Sequence, residues 1–75
     1  MFNERLFKSQ MVLMGYTAKG LCDEMGMEES TFYRKMKADG AFTRDEMNRL
    51  IDILKFPNPM AVFFAQELAE TQERR

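Results

Sequence analysis

The chain has 75 residues, a formal net charge of −1 and an apolar fraction of 45%, enough for one small helical domain. With no histidine and one cysteine, it lacks the residues for a zinc site, for histidine-based catalysis or for an internal disulfide. No apolar run approaches the roughly 20 residues of a membrane span, and residues 1–10 lack a signal-peptide core, so we expect a cytoplasmic protein without metal or cofactor.

Apolar periodicity and helix-end signals predict five helices and no strand, which is an all-α fold. The first helix is expected over about residues 4–14, with Asn3 as its N-cap and Gly15 at its end. Its inward stripe is predicted to contain Phe7, Met11 and Met14. We also expect five methionines of the chain to pack in the core, namely Met11, Met14, Met25, Met27 and Met47.

The second and third predicted helices are short and are joined by a tight glycine turn. Thr17 is expected to cap the second helix, over about residues 18–25, and Gly26 to end it with a positive φ. The third helix is predicted over about residues 29–37. Two helices joined in this way, about residues 17–37, form a helix-turn-helix, whose usual role is to place its second helix in the major groove of DNA. The residues predicted to point inward are Leu21, Cys22, Met25 and Phe32.

Two further helices are predicted after a loop at residues 38–42. Thr43 and Glu46 match the T-x-x-E capping box at the start of the fourth helix. Asn58 and Pro59 are expected to open the fifth helix, over about residues 59–72. The inward stripe of the fourth helix is predicted to contain Met47, Leu50, Ile51 and Leu54.

The fifth helix carries more apolar residues than so small a core is expected to bury. An exposed apolar patch on a small protein usually marks a partner surface. We therefore predict a twofold dimer interface on this helix, and the alternative is full burial within one subunit. The residues assigned to the interface are Met60, Phe63 and Phe64.

Several segments carry a resemblance to a known family. They are GYT at 15–17, GLCDEMGM at 20–27, STFYRKM at 30–36, FTRDEM at 42–47 and VFFA at 62–65. On these residues the chain resembles the Cro/C1-type (XRE-like) helix-turn-helix family, and especially small repressor or Cro-like regulators of phages and prophages of Gram-positive bacteria. The resemblance implies a compact five-helix, lambda-repressor-like domain that binds double-stranded DNA as a homodimer on a palindromic operator, in the bacterial cytoplasm and at the nucleoid.

Carried over by position, the resemblance also implies which residues meet DNA. Base edges would be read by Glu29, Ser30, Tyr33 and Arg34. Phosphates would be met by Thr17, Ala18, Lys19, Thr31, Lys37, Thr43 and Arg44. The chemistry agrees, because an arginine such as Arg34 can bind guanine O6 and N7 with two parallel hydrogen bonds.

The charge distribution leaves two functions open. Residues 30–44 contain four basic residues and one acidic residue, a local charge of +3 that favours contact with DNA. DNA contact is opposed by the net charge of −1 and by the acidic pair Glu28 and Glu29. These features favour an interaction module, such as an antirepressor or adaptor, that keeps the fold without strong DNA binding. A protein antagonist is a further candidate partner.

Three residues of the third helix each have two possible roles. Glu29 either accepts a hydrogen bond from cytosine or only complements the helix dipole. Arg34 either reads a base or forms a surface ion pair, Tyr33 either meets DNA or packs on a neighbouring helix, and Lys35 is expected to be solvated. Cys22 is expected to be a small buried residue. No enzymatic activity is expected, because the chain has no glycine-rich phosphate loop and its neighbouring acidic pairs diverge on helices.

Overall fold

A computed structural model describes residues 1–64, and these residues form five α-helices and no strand. The helices in chain order are α1 (Glu4–Leu13), α2 (Ala18–Met25), α3 (Glu29–Lys37), α4 (Arg44–Leu54) and α5 (Pro59–Phe63). The predicted all-α class is confirmed for this part of the chain. None of the five helices is long and apolar enough to cross a membrane.

The helices begin where local side-chain caps hold them. Three predicted N-caps each accept a hydrogen bond from a backbone N–H in the first turn of their helix, namely Asn3, Thr17 and Asn58. At the start of α4, the Thr43 hydroxyl accepts from the Glu46 N–H at 3.1 Å, and the Glu46 carboxylate accepts from the Thr43 N–H at 2.8 Å. The predicted capping box is therefore confirmed. The start of α3 has no such cap, since Glu28 makes no capping hydrogen bond.

The core is organised around Phe7, which is fully buried on α1. Its ring centroid lies 5.5–6.4 Å from those of five other phenylalanines, which are Phe2, Phe32, Phe42, Phe56 and Phe63. Aromatic pairs at this separation add to the stabilisation from area burial alone. Every helix contributes to this core, and the inward positions predicted for α2 and α3 are confirmed as buried: Leu21, Cys22, Met25 and Phe32.

Met14 is the core prediction that the structure contradicts. The helix α1 ends at Leu13, one residue earlier than expected, and the chain then turns through Gly15 with φ +77°. The side chain of Met14 is consequently 39% exposed. The other methionines agree with the prediction, because Met11 and Met25 are buried and the remaining two are partly buried against the core.

The placement of α5 removes one residue, Phe63, from the surface that was predicted to form a dimer interface. Phe63 is only 6% exposed, because its ring packs between those of Phe2 and Phe56 in the core, so its assignment to the protein surface was wrong. The N–H of Asn3 donates to the carbonyl of the neighbouring Val62 at 2.7 Å, which fixes α5 against the start of α1. Met60 is 49% exposed and Phe64 is partly buried. The predicted continuation of this helix to residue 72 lies outside the described residues.

Candidate nucleic-acid interface

The end of α2 is formed by a left-handed glycine and is bound by an arginine from α4. Gly26 has φ +66° and ends α2, as predicted. The guanidinium of Arg49 donates to the carbonyls of Met25 at 3.2 Å and Glu24 at 3.1 Å, at the end of α2. These carbonyls have no partner within their own helix, so Arg49 satisfies them and joins α4 to α2. No local pattern in the sequence indicates this contact.

One face of α3 is buried and the opposite face is exposed. Phe32 and Met36 lie in the core at 2% exposure each. The four residues of α3 that were predicted to read bases, and one that was predicted to contact a phosphate, are all exposed. We call these five residues the outward face of α3: Glu29, Ser30, Tyr33, Arg34 and Lys37. The structure therefore places the predicted base-reading residues together on one helix surface.

The start of α2 lies beside one edge of the outward face of α3. Ala18 and Tyr33 line the same groove of about 200 Å³, together with Lys8 and Val12 of α1. Tyr33 is 44% exposed, and its ring packs edge-on against that of Phe32, its neighbour on α3, with the ring centroids 5.5 Å apart. The predicted phosphate residues Thr17 and Lys19 flank Ala18 and are exposed. Lys19 forms a 3.5 Å ion pair with Asp23.

The start of α4 is tied to the other edge of α3. The ammonium group of Lys35 lies 2.7 Å from both carboxylate oxygens of Glu46. The Lys35 side chain is only 19% exposed, so the expectation that it would be solvated was wrong. Since Glu46 also binds Thr43, this ion pair holds Thr43 and the exposed Arg44 next to α3. Thr31 lies on this same side, in a depression that it shares with Glu46.

The loop between α3 and α4 is held by the N-terminal segment. Asp39 and Gly40 both adopt left-handed backbone, with φ +58° and +69°. The Phe2 N–H donates to Oδ1 of Asp39 at 2.9 Å, and the Phe2 ring covers Gly40 so closely that a Cβ there would lie 2.4 Å from it. The loop therefore has one defined path between Lys37 and Thr43, two residues assigned to phosphate contact.

Ion pairs reduce the positive charge that the interface offers. Glu46 neutralises Lys35, and Glu4 accepts from Lys37 at 3.2 Å and from Lys8 at 2.9 Å. Hydrogen bonds from Lys8 and then Lys37 lower the pKa of the Glu4 carboxyl, so it stays ionised. Within residues 1–64, Arg34 forms no salt bridge. Two of the four basic residues in the segment 30–44, Lys35 and Lys37, are thus paired with acidic side chains in the fold.

We expect Glu46→Gln to lower the free energy of unfolding by about 1 kcal/mol near neutral pH, because it removes the charge that pairs with Lys35 but keeps an oxygen for Thr43. Burial raises the pKa of the Glu46 carboxyl, but hydrogen bonds from Lys35 and Thr43 outweigh burial, and the net pKa falls below its ordinary 4.5. The stabilisation is therefore present above that value and lost as the pH falls through the lowered pKa.

Urea denaturation of the wild type and the variant at neutral and strongly acidic pH measures this difference. Asp52→Asn is the control, because Asp52 is an exposed acid on the same helix that forms no salt bridge within residues 1–64. The gap between wild type and Glu46→Gln should close at acidic pH. A gap that persists there would assign the loss to the capping hydrogen bond instead of the ion pair.

Comparison of the chain with protein-family models, with curated proteins and with solved structures gave no match. The resemblance to the Cro/C1-type family therefore rests on the sequence motifs alone.

Proposed function

We propose that the chain is a sequence-specific DNA-binding transcriptional regulator, resembling phage Cro-like repressors, that places α3 in the major groove. The observation that carries this proposal is the two-sided character of α3. Phe32 and Met36 anchor the helix in the core, while Ser30, Tyr33 and Arg34 stand exposed on its other side. These three side chains supply the hydrogen-bonding and methyl-contacting groups that read base edges.

The elements on the two edges of α3 support the same orientation. The start of α2, with Thr17 and Lys19, lies on one edge, and the start of α4, with Thr43 and Arg44, lies on the other. A helix in the major groove, which is roughly 12 Å wide, has a phosphate backbone on each side. Helix N-termini and basic side chains in these two positions suit contacts with both backbones.

Repression by such a protein would depend on dimerisation. The partly exposed Met60 and Phe64 line a groove of about 440 Å³ between α4 and α5, and in the proposal this surface forms a twofold contact. Two recognition helices in successive major grooves are about 34 Å apart, which matches the two halves of a palindromic operator. A dimer bound at a promoter would then block access of RNA polymerase.

Selection from a random duplex DNA library at moderate salt tests the proposal. We expect enrichment of a palindrome whose half-sites are about 10 bp apart, centre to centre. The affinity for the enriched duplex should fall with salt, with a log–log slope of several units from phosphate contacts. No enrichment, together with no salt-dependent retention of bulk DNA, would contradict DNA binding.

The alternative is a protein-interaction module that binds DNA weakly or not at all. The observation that favours it is the pairing of Lys35 with Glu46 and of Lys37 with Glu4, which neutralises two of the four basic residues of the segment 30–44 on a chain of net charge −1. The salt dependence separates the two functions, because an adaptor would show no slope with DNA.

A further inference from the structure

A cluster of two lysines and one glutamate joins α1 to the end of α3. One carboxylate oxygen of Glu4 lies 2.9 Å from the ammonium of Lys8 and 3.2 Å from that of Lys37. The glutamate side chain is 30% exposed, whereas the two lysines are 55% and 70% exposed. The carboxylate is thus the inner member, with a cation on each side. We call this group the Lys8–Glu4–Lys37 cluster.

The cluster adjoins the outward face of α3. Lys37 belongs to that face, and Lys8 lines the groove that also contains Tyr33 and Ala18. Lys8 was not among the residues assigned to DNA from the sequence, because it lies on α1, outside the helix-turn-helix. The contact with Glu4 brings it to the same edge as Lys37, although the two lysines are far apart along the chain.

We propose that Lys8 and Lys37 form a binding site for a DNA backbone phosphate, and that Glu4 occupies this site as a competing anion in the free protein. This inference rests on the function proposed above. A carboxylate oxygen held between two ammonium groups has the position and charge that a phosphate oxygen would take. Exposed ion pairs are weak and readily exchanged, so a phosphate that carries its own charge can displace the carboxylate.

Competition between Glu4 and DNA phosphate for the two lysines would lower the affinity of a regulator for non-specific DNA. Non-specific binding depends almost entirely on phosphate contacts, so an internal anion that occupies two of the cations lowers affinity for all DNA alike. Base contacts through Arg34 are unaffected, since this side chain has no salt bridge within the described chain. Glu4 would therefore reduce retention on bulk DNA while the preference for the operator is kept.

The Glu4→Gln variant tests this inference, with binding measured as a function of salt on the selected duplex and on an unrelated duplex of equal length. We expect both affinities to rise about 3- to 10-fold, and both log–log salt slopes to steepen by about one. Asp52→Asn is the matched control, because it removes the same charge from an exposed site on α4. Lys8→Ala should have the opposite effect, weakening both duplexes and lowering both slopes by about one.

The outcomes separate this inference from the function on which it rests. If the wild type binds DNA but Glu4→Gln behaves like Asp52→Asn, the competing-anion role is wrong and the proposed function stands. If neither the wild type nor Glu4→Gln binds any duplex, both proposals fail. Binding that appears only in Glu4→Gln supports the inference in its strongest form. Thermal unfolding of each variant by circular dichroism checks that the helices remain folded.

Discussion

Gly40→Ala is expected to lower the free energy of unfolding by about 2–5 kcal/mol, whereas Gly15→Ala should cost only about 1–2 kcal/mol. Both glycines have left-handed backbone, at φ +69° and +77°, so both variants suffer the same strain from an added Cβ. Their surroundings differ. A Cβ at Gly15 meets nothing within 4 Å, but at Gly40 it lies 2.4 Å from the Phe2 ring and 2.8 Å from the Phe2 Cβ.

The Phe2 side chain cannot easily move away from this collision. Its ring is 8% exposed and packs against those of Phe7, Phe42 and Phe63. Its backbone N–H is also held by Asp39. Accommodating the new methyl group would therefore move the N-terminal segment, the loop, or both.

Urea denaturation of the wild type and the two glycine variants, followed by circular dichroism, measures the effect. The difference between the two variants isolates the collision, because the backbone strain is common to both. Equal losses of stability would mean that Phe2 shifts without cost, and that it does not define the loop between α3 and α4.

The helices and their starts could be predicted because their signals are local. A cap and the N–H that it binds are three residues apart in the chain, as for Thr43 and Glu46 and for Thr17 and Gly20. The buried positions of α2 and α3 follow from the helical period in the same way. Once the buried positions of α3 are assigned, the outward face follows as the opposite side of the helix. Its exposure could therefore be predicted without knowing how the other helices pack.

The charge pairing of the interface could not be predicted, because it depends on contacts between helices. Lys37 and Glu4 are 33 residues apart, and Lys35 and Glu46 are 11 apart, so neither pair has the short spacing of a helical ion pair. The burial of Phe63 has the same origin, since it depends on α5 packing against the start of α1. A count of charges over residues 30–44 consequently overstated the positive surface.

Arg34→Ala is expected to weaken binding to the selected operator by about 1–3 kcal/mol and to relax the preference at one base pair in each half-site. Arg34 is exposed in the last turn of α3 and forms no salt bridge within residues 1–64, so its guanidinium is available to a guanine. The loss of binding free energy should be nearly as large at high salt as at low salt, because a bidentate contact with a base releases no phosphate-bound counterion.

Arg44→Ala is the matched control, because it removes the same side chain from the start of α4, where a phosphate contact is proposed. It should weaken operator and unrelated duplexes about equally and lower the salt slope by about one, without changing the selected sequence. Repeating the selection with both variants distinguishes the two roles. An unchanged consensus for Arg34→Ala would remove Arg34 from base reading, and the outward face of α3 would then have to derive its specificity from Ser30, Tyr33 and Glu29.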